Sequence, residues 1–580
     1  MLKRRIGVFY FPMLNNSQLK RILVIFSLFM VLGHTFSYHI HPYRMYYHEL
    51  LVFLGLIMMV GYCACNSQLE VSIPKSIILP VTLIVVIAVQ LLKHSILYPV
   101  EMIFPFLYLV GFAVAMIGGA TIARHENGLI YLSKFLAWSF LAIGLISVAF
   151  QHLQLCNFDL MPWVDSLEWA SPLRPYANYA QANSAALALC FALAAVWYLS
   201  VTGSVRLIVA GVVAVLLLWG LALTQSRIGW IILPLFIPLV WTGRDNSAHI
   251  SRVALVVLFL LFVAFVMVVP TFLHMIGGVS ESVADRAGQT SVRLVLWQQA
   301  LAMSAGHPWF GVGWYQFGPN QVLISRAFQP TEYSDYAHNI VLNFAAEIGW
   351  PLTLIFLAVV IWWICRCCFG QWKIVQVRFI SLVFVAIGVH SMVEFPLWYG
   401  LVLIPFGLMV GALHVQKLGY QAVQIGRAWI VGVTVLAIGL VGVITWDYNR
   451  VVVGFATIKS MQEGNKPDTK LIAMPDYTLF PEYFDYFHIV EVKVVPKMPP
   501  EDIQFLGKIS LRFAFAPVLE RLAMTYIDNL RPNEALQVLI VLSRLQVSEY
   551  DQVYKRWKQY AQENPVMYGE VVKRMPKPVE

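Results

Sequence analysis

The sequence predicts an all-α, polytopic membrane protein: a bundle of about 13 transmembrane helices with a long loop on its outer side and a small helical soluble domain at its C-terminal end. Three observations predict it. Of 580 residues, 59% are hydrophobic and only 12% charged, with a mean hydropathy of +0.70, whereas a water-soluble protein carries about 25% charged residues. Apolar runs of about 20 residues, the length that crosses a hydrocarbon core, recur through the first three-quarters of the chain. From Trp446 onward the character changes, with frequent charges and no apolar run of membrane length.

The apolar runs place spans at approximately 21–38, 48–65, 76–93, 102–122, 131–152, 183–202, 206–224, 228–243, 253–276, 339–364, 378–395, 397–415 and 428–446. Lys and Arg accumulate in cytoplasmic loops. With Lys3, Arg4 and Arg5 inside, alternate loops carry Lys75, Arg124 and Lys134, Arg206, Arg244 and Arg252, Arg366 with Lys373 and Arg378, then Lys417 and Arg427, while Arg44 and Lys93 fall outside. The same count sets the loops at about 153–182 and 277–338, and the tail, on the outer side, with the two termini on opposite sides. The net charge of +9 therefore reads as topology rather than as a nucleic-acid surface. No small-residue cleavage site follows the first apolar run at His34–Tyr38, so it reads as a retained helix. Six of the seven cysteines lie in or beside apolar stretches, and no structural disulfide or zinc site is expected.

This divides the chain into a membrane domain, 1–446, and a soluble helical domain, 447–580. In the latter, Ala516–Tyr526 and Asn533–Leu539 have apolar residues at helical spacing with a break near Leu530-Arg531-Pro532. They read as a helix pair similar to a tetratricopeptide unit, without a second full repeat.

Positive charges on the disfavoured side of the membrane are the most informative feature. Arg227 sits at an outer helix junction in Gln225-Ser226-Arg227-Ile228-Gly229, and Arg293 lies in the largest outer loop with Arg286 and Arg326. An interfacial arginine can simply snorkel. Guanidinium forks also bind phosphate oxygens bidentately and stay charged at any relevant pH, which makes a diphosphate the natural guest. A second cluster, Asp335-Tyr336-Ala337-His338-Asn339 running on to Glu347-Ile348-Gly349, starts a membrane helix at the outer surface. His338 and Glu347 belong in the bundle or a wet cavity rather than against lipid. A neutral imidazole there either serves structure or accepts a hydroxyl proton. His390 and Glu394, four apart, share a helical face, where they bracket a substrate or satisfy each other.

The segment His338–Gly349, with His-Asn at the helix start and Glu-Ile-Gly further along, resembles the C-terminal signature shared by O-antigen ligases, O-antigen polymerases and protein O-oligosaccharyltransferases. Arg174–Ala185 resembles the Gln-x-Asn loop of the PglL-type protein-glycosylating members, and His390–Tyr399 resembles their second box. His307–Trp314 fits the family's long periplasmic loop. The resemblance covers roughly residues 20–415 in family order. It departs at Ala182, where a proline is common, and at Ser184, where a His often follows.

The resemblance implies a bacterial inner-membrane enzyme with its site facing the periplasm. It would transfer a glycan from undecaprenyl diphosphate to a Ser or Thr hydroxyl of a pilin-like or other exported protein. Laid on the residues, it assigns His338 as general base and Arg227 and Arg293 to the leaving diphosphate. Gln181, Asn183, Tyr336 and Asn339 would orient substrate, with Glu347, His390 and Glu394 in secondary places. No cofactor is implied, and no Asp-x-Asp pair in the periplasmic loops marks a divalent-ion site. The tail is a candidate surface for acceptor recognition. The rivals are an O-antigen ligase or polymerase with a lipid A core or glycan acceptor, and a lipid-linked glycan transporter, for which internal repeats and broken helices at the midplane would be expected.

Overall fold

The computed structural model describes residues 15–65, 68–93, 95–157, 163–167, 169, 172–241, 252–279, 292–492 and 494–578. Lys3, Arg4, Arg5, Arg244 and Arg286 lie outside these residues. Ten helices among the described residues are long and apolar enough to cross a membrane: Asn16–Thr35, Tyr46–Cys65, Lys75–Leu92, Pro99–Arg124, Gly128–Leu155, Ala182–Val201, Val253–Met275, Trp350–Gln371, Gly400–Lys417 and Arg427–Gln462. Shorter apolar helices, Leu207–Leu223, Ile228–Trp241 and Val375–Ser391, fall on other predicted spans. The chain is an all-α, multi-pass membrane protein.

Composition places each helix in the bundle. Ala182–Val201 is apolar all round and buried nearly all round, and its alanines let Gly128–Leu155, Leu207–Leu223 and Val375–Ser391 pack closely on it. Arg427–Gln462 is the opposite case. Its Trp429, Val433, Val435, Leu436 and Val443 are exposed, as on a helix facing lipid. Between Ile103–Arg124 and Gly400–Lys417 the backbones touch: a Cβ on Gly119 would lie 1.9 Å from the Leu408 carbonyl oxygen, and one on Gly411 1.9 Å from that of Met116. Only glycine permits that approach.

The structure redraws three predicted spans. The segment predicted as one helix at 339–364 is two, Ile340–Ile348 and Trp350–Cys367. Gly349 lies between them at φ 84, a left-handed backbone disfavoured for side-chain residues, and Pro351 has no N–H to continue a helix. The carbonyls freed by the break are satisfied: Ala346 accepts the Val312 N–H at 2.8 Å, and Glu347 accepts Gly313 N–H at 3.1 Å and Gln90 Nε2 at 2.8 Å. The span expected to reach 395 ends at Ser391, ahead of Pro396. The last apolar helix runs on past 446 to Gln462, because Tyr448, Val451 and Ile458 pack against Phe480, Phe484 and Phe487 of the tail.

One antiparallel pair of strands, Gln68–Pro74 and Tyr420–Gly426, closes one face of the bundle in register Gln68↔Gly426 to Pro74↔Tyr420. Lys75, Arg124 and Arg427 gather on this sheet face. The tail sits on the opposite face, with helices Pro481–Glu491, Pro500–Arg512, Ala516–Asp528, Pro532–Leu545, Val547–Glu563 and Pro565–Arg574. The expected helix pair is Ala516–Asp528 with Pro532–Leu545, broken at residues 529–531, where Leu530 takes φ 59.

Candidate active site

Four distant parts of the chain meet at Glu394. The helix Val375–Ser391 stops three residues earlier, so Glu394 stands in the turn beyond it, and its side chain is only 5% exposed. One carboxylate oxygen accepts from His338 Nδ1 at 2.9 Å. The other accepts from Arg293 Nη2 at 2.5 Å and from Asn183 Nδ2 at 2.8 Å. Asn183 passes the contact on, because its Oδ1 accepts from Ser226 Oγ at 2.8 Å and Arg174 Nη2 at 3.3 Å. Arg174 in turn donates from Nε to the Thr224 carbonyl at 3.1 Å.

Local sequence explains each placement. His338 takes φ 51, a left-handed conformation that costs a residue with a Cβ and needs its surroundings to impose it. The next residue supplies part of that constraint. Asn339 caps Ile340–Ile348, accepting the N–H groups of Val341 and Leu342 at 3.1 Å each, and its Nδ2 donates to the Met392 carbonyl at 3.2 Å. The His338 loop and the Glu394 turn are thereby tied together. Arg293 stands in the first turn of Val292–Gly306, whose Val295, Leu296, Gln299 and Ala300 are buried, and it reaches inward from there. Arg227 is exposed in the turn between Leu207–Leu223 and Ile228–Trp241; its neighbour Ser226 binds Asn183.

Burial alone would raise the Glu394 carboxyl, but the His338 hydrogen bond and the neighbouring positive charge, with the Arg293 guanidinium on the same carboxylate, outweigh it and hold it down to about 2. A carboxylate on Nδ1 fixes that nitrogen as the protonated one, which leaves Nε2 with a free lone pair. The arrangement therefore provides a base and a cation on one ionised hub.

The other predicted residues divide. Gln181 accepts the Ser184 hydroxyl at 3.0 Å, and both Gln181 and Tyr336 line a cavity of about 1530 Å³. The cavity wall is largely apolar, with Phe112, Trp363, Phe384 and Phe406, and it reaches Gln424 and Ile425 of the sheet. Glu347 is fully buried behind the His338 loop, in a packing position. His390 is buried but does not satisfy Glu394 through its side chain. The two stay one turn apart, since the Glu394 N–H donates to the His390 carbonyl at 2.8 Å just past the helix end. Asn339 is engaged in capping. Sequence reasoning placed Glu394 in a secondary position and did not single out Arg174; the signal for the latter was present, since it is another arginine in an outer loop beside the Gln181 motif.

Residues 212–357 match the family described as O-Antigen ligase, and residues 379–564 match the one described as Virulence factor membrane-bound polymerase, C-terminal. The chain is 24% identical over 527 residues to a general O-oligosaccharyltransferase of Acinetobacter baylyi, covering 88% of this chain and 90% of the relative. In two matched regions, and over nearly the whole of one relative, the chain is similar to the O-antigen ligases and to the PglL-type O-oligosaccharyltransferases. A second relative, a ComP-specific O-oligosaccharyltransferase of the same species, is 25% identical over 375 residues, covering 64% of this chain and 67% of the relative. On these similarities the protein is an enzyme, a glycosyltransferase, and the Glu394 hub draws His338 and Arg293 from the first matched region while Glu394 itself lies in the second.

Proposed function

We propose that the protein transfers a preassembled glycan from undecaprenyl diphosphate to a Ser or Thr hydroxyl of an exported, pilin-like protein, at the periplasmic face of a bacterial inner membrane. The observation that carries this reading is the shared carboxylate: Glu394 holds His338 and Arg293 side by side, and the neighbouring Tyr336, Met392 and Phe395 line an apolar cavity. The cavity suits a polyprenyl tail, and the arginines suit its diphosphate. The basic residues of the sheet face support a cytoplasmic place for it, which turns the His338 face outward. Similarity to a general O-oligosaccharyltransferase over nearly the whole of both chains favours a protein acceptor over a lipid A core sugar.

The reaction is a direct displacement. His338 Nε2 takes the acceptor's hydroxyl proton as the oxygen bonds to the anomeric carbon. The bond from that carbon to the diphosphate oxygen breaks, and its electron pair leaves with the diphosphate. Arg293, and Arg227 from the neighbouring turn, neutralise the charge that develops there. Glu394 stabilises the imidazolium that forms. Guanidinium groups serve the departing anion without a divalent ion, so the step is metal-independent in this reading.

Purified protein in liposomes, supplied with undecaprenyl-diphosphate glycan and a pilin acceptor, tests this. Transfer is expected to survive excess chelator, and Arg293→Ala to lower kcat by about 10²-fold. Loss of activity on chelation that a divalent ion restores would reject the metal-free step. Glycan found on lipid A core, with none on protein, would reject the acceptor.

A further inference from the structure

The tail reaches the catalytic loop through one buried arginine. Arg512 ends the helix Pro500–Arg512, and its side chain is 5% exposed. Its three nitrogens go to three different parts of the membrane region and its loops. Nε donates to Glu101 at 2.7 Å, at the start of a membrane helix; Nη1 donates to Asp335 at 3.0 Å; and Nη2 donates to the Tyr315 hydroxyl at 2.8 Å. Asp335 lies three residues before His338.

The attachment continues along the loop. Tyr333 donates its hydroxyl to the Arg512 carbonyl at 2.8 Å, and the N–H groups of Thr331 and Tyr333 donate to the carbonyls of Arg544 and Leu545 at 2.7 and 3.2 Å. From Tyr315 the contact passes through rings: Tyr315 packs on Tyr336, Tyr336 on Phe395, and Phe395 on His338 at 5.0 Å between centroids. The segment 331–335 is therefore bound by the tail through Thr331, Tyr333 and Asp335, and it leads within three residues into a histidine with a strained backbone. A left-handed φ at a residue with a Cβ persists only where the surroundings over-determine it. Asn339 supplies that constraint on the C-terminal side, and the tail supplies it on the other.

We infer that Arg512 is a positioning residue for the transfer reaction: through Asp335 and Tyr315 it holds the His338 loop in its reactive conformation, which makes the tail a working part of the active site. Two further observations support this. A fork that binds two carboxylates and a phenol, all in fixed directions, transmits position as well as charge. The matched region 379–564 also extends from the last membrane helices through most of the tail, so a single family match takes in both the Glu394 turn and Arg512. The inference rests on His338 acting at the reacting centre.

The test uses the full chain in liposomes and compares Arg512→Met, Arg512→Lys and Asp335→Asn, each scaled to monodisperse protein. Arg556→Met is the control, since Arg556 pairs with Glu520 within the tail. Misplacing a catalytic group by about 1 Å costs on the order of 10²-fold. The expected result is a fall in kcat of about ten-fold or more for Arg512→Met and Asp335→Asn. Donor and acceptor KM should stay within about two-fold, Arg512→Lys should recover part of the loss, and the control should be unchanged. Asp335→Asn leaves the Arg512–Glu101 pair in place, so it decides the matter if Arg512→Met does not fold. Unchanged kcat in the folded variants would overturn the inference. So would a loss confined to acceptor KM, which would make the tail a docking surface instead. The two readings fail separately: full activity in His338→Ala removes the proposed base, whereas an inactive His338→Ala beside a fully active Asp335→Asn removes only the role given to Arg512.

Discussion

Replacing His338 by alanine is expected to lower kcat for glycan transfer by about 10²–10⁴-fold while leaving donor KM nearly unchanged. The split follows from geometry. Arg293 is held by Glu394 independently of the imidazole, so the diphosphate keeps its cation when the base is gone. Asn339 still caps its helix and still donates to Met392, so the loop is not released wholesale. What disappears is the lone pair on Nε2, and with it the acceptor for the hydroxyl proton. Single-turnover transfer with saturating donor measures this directly. Wild-type rates in a folded His338→Ala protein would remove the base from the mechanism.

Glu394→Gln is expected to cost kcat about as much, on the order of 10²-fold or more, for a different reason. The amide keeps the shape of the carboxylate but presents one acceptor where the site uses two. Either His338 Nδ1 or the pair Arg293 and Asn183 then faces an NH₂ group. The proton on Nδ1 is no longer fixed, and Arg293 loses its anchor. The variant should also titrate differently. A carboxyl held down to about 2 from an ordinary 4.5 contributes stability that is fully present above about pH 4.5 and is lost as pH falls toward 2. The melting-temperature gap between wild type and Glu394→Gln should therefore be constant from pH 8 to 5 and narrow below that. A gap that closes near neutrality would place the ionisation of Glu394 elsewhere.

Much of this was readable in the chain. Lipid demands long apolar runs, and they announced themselves; the arginines and His338 stood out because the outer surface disfavours the one and the membrane mouth gives the other a task. The errors came where helices end. Glu394 looked like the next turn of a helix because Met392 and Val393 continue the apolar pattern, although Pro396 is a stop signal two residues on. Gly349-Trp350-Pro351 carried a similar signal inside the span expected to be continuous. The strand pair was less accessible. Leu69, Val71 and Ile73 alternate as a strand should, but the partner lies at Tyr420–Gly426, and nothing local indicates that pairing. The Arg512 contacts were beyond reach for the same reason, since Glu101, Tyr315 and Asp335 meet that arginine only once the tail has folded back over the bundle.

A cryo-EM map of the protein bound to an undecaprenyl-diphosphate glycan tests the meeting of His338 and Arg293 at Glu394 most directly. The expected density places the diphosphate within hydrogen-bond distance of Arg293, the anomeric carbon between it and His338, and the polyprenyl chain in the cavity beside Phe112 and Phe406. A headgroup resting on the sheet face near Arg124, with His338 and Arg293 turned away from it, would remove the proposed site.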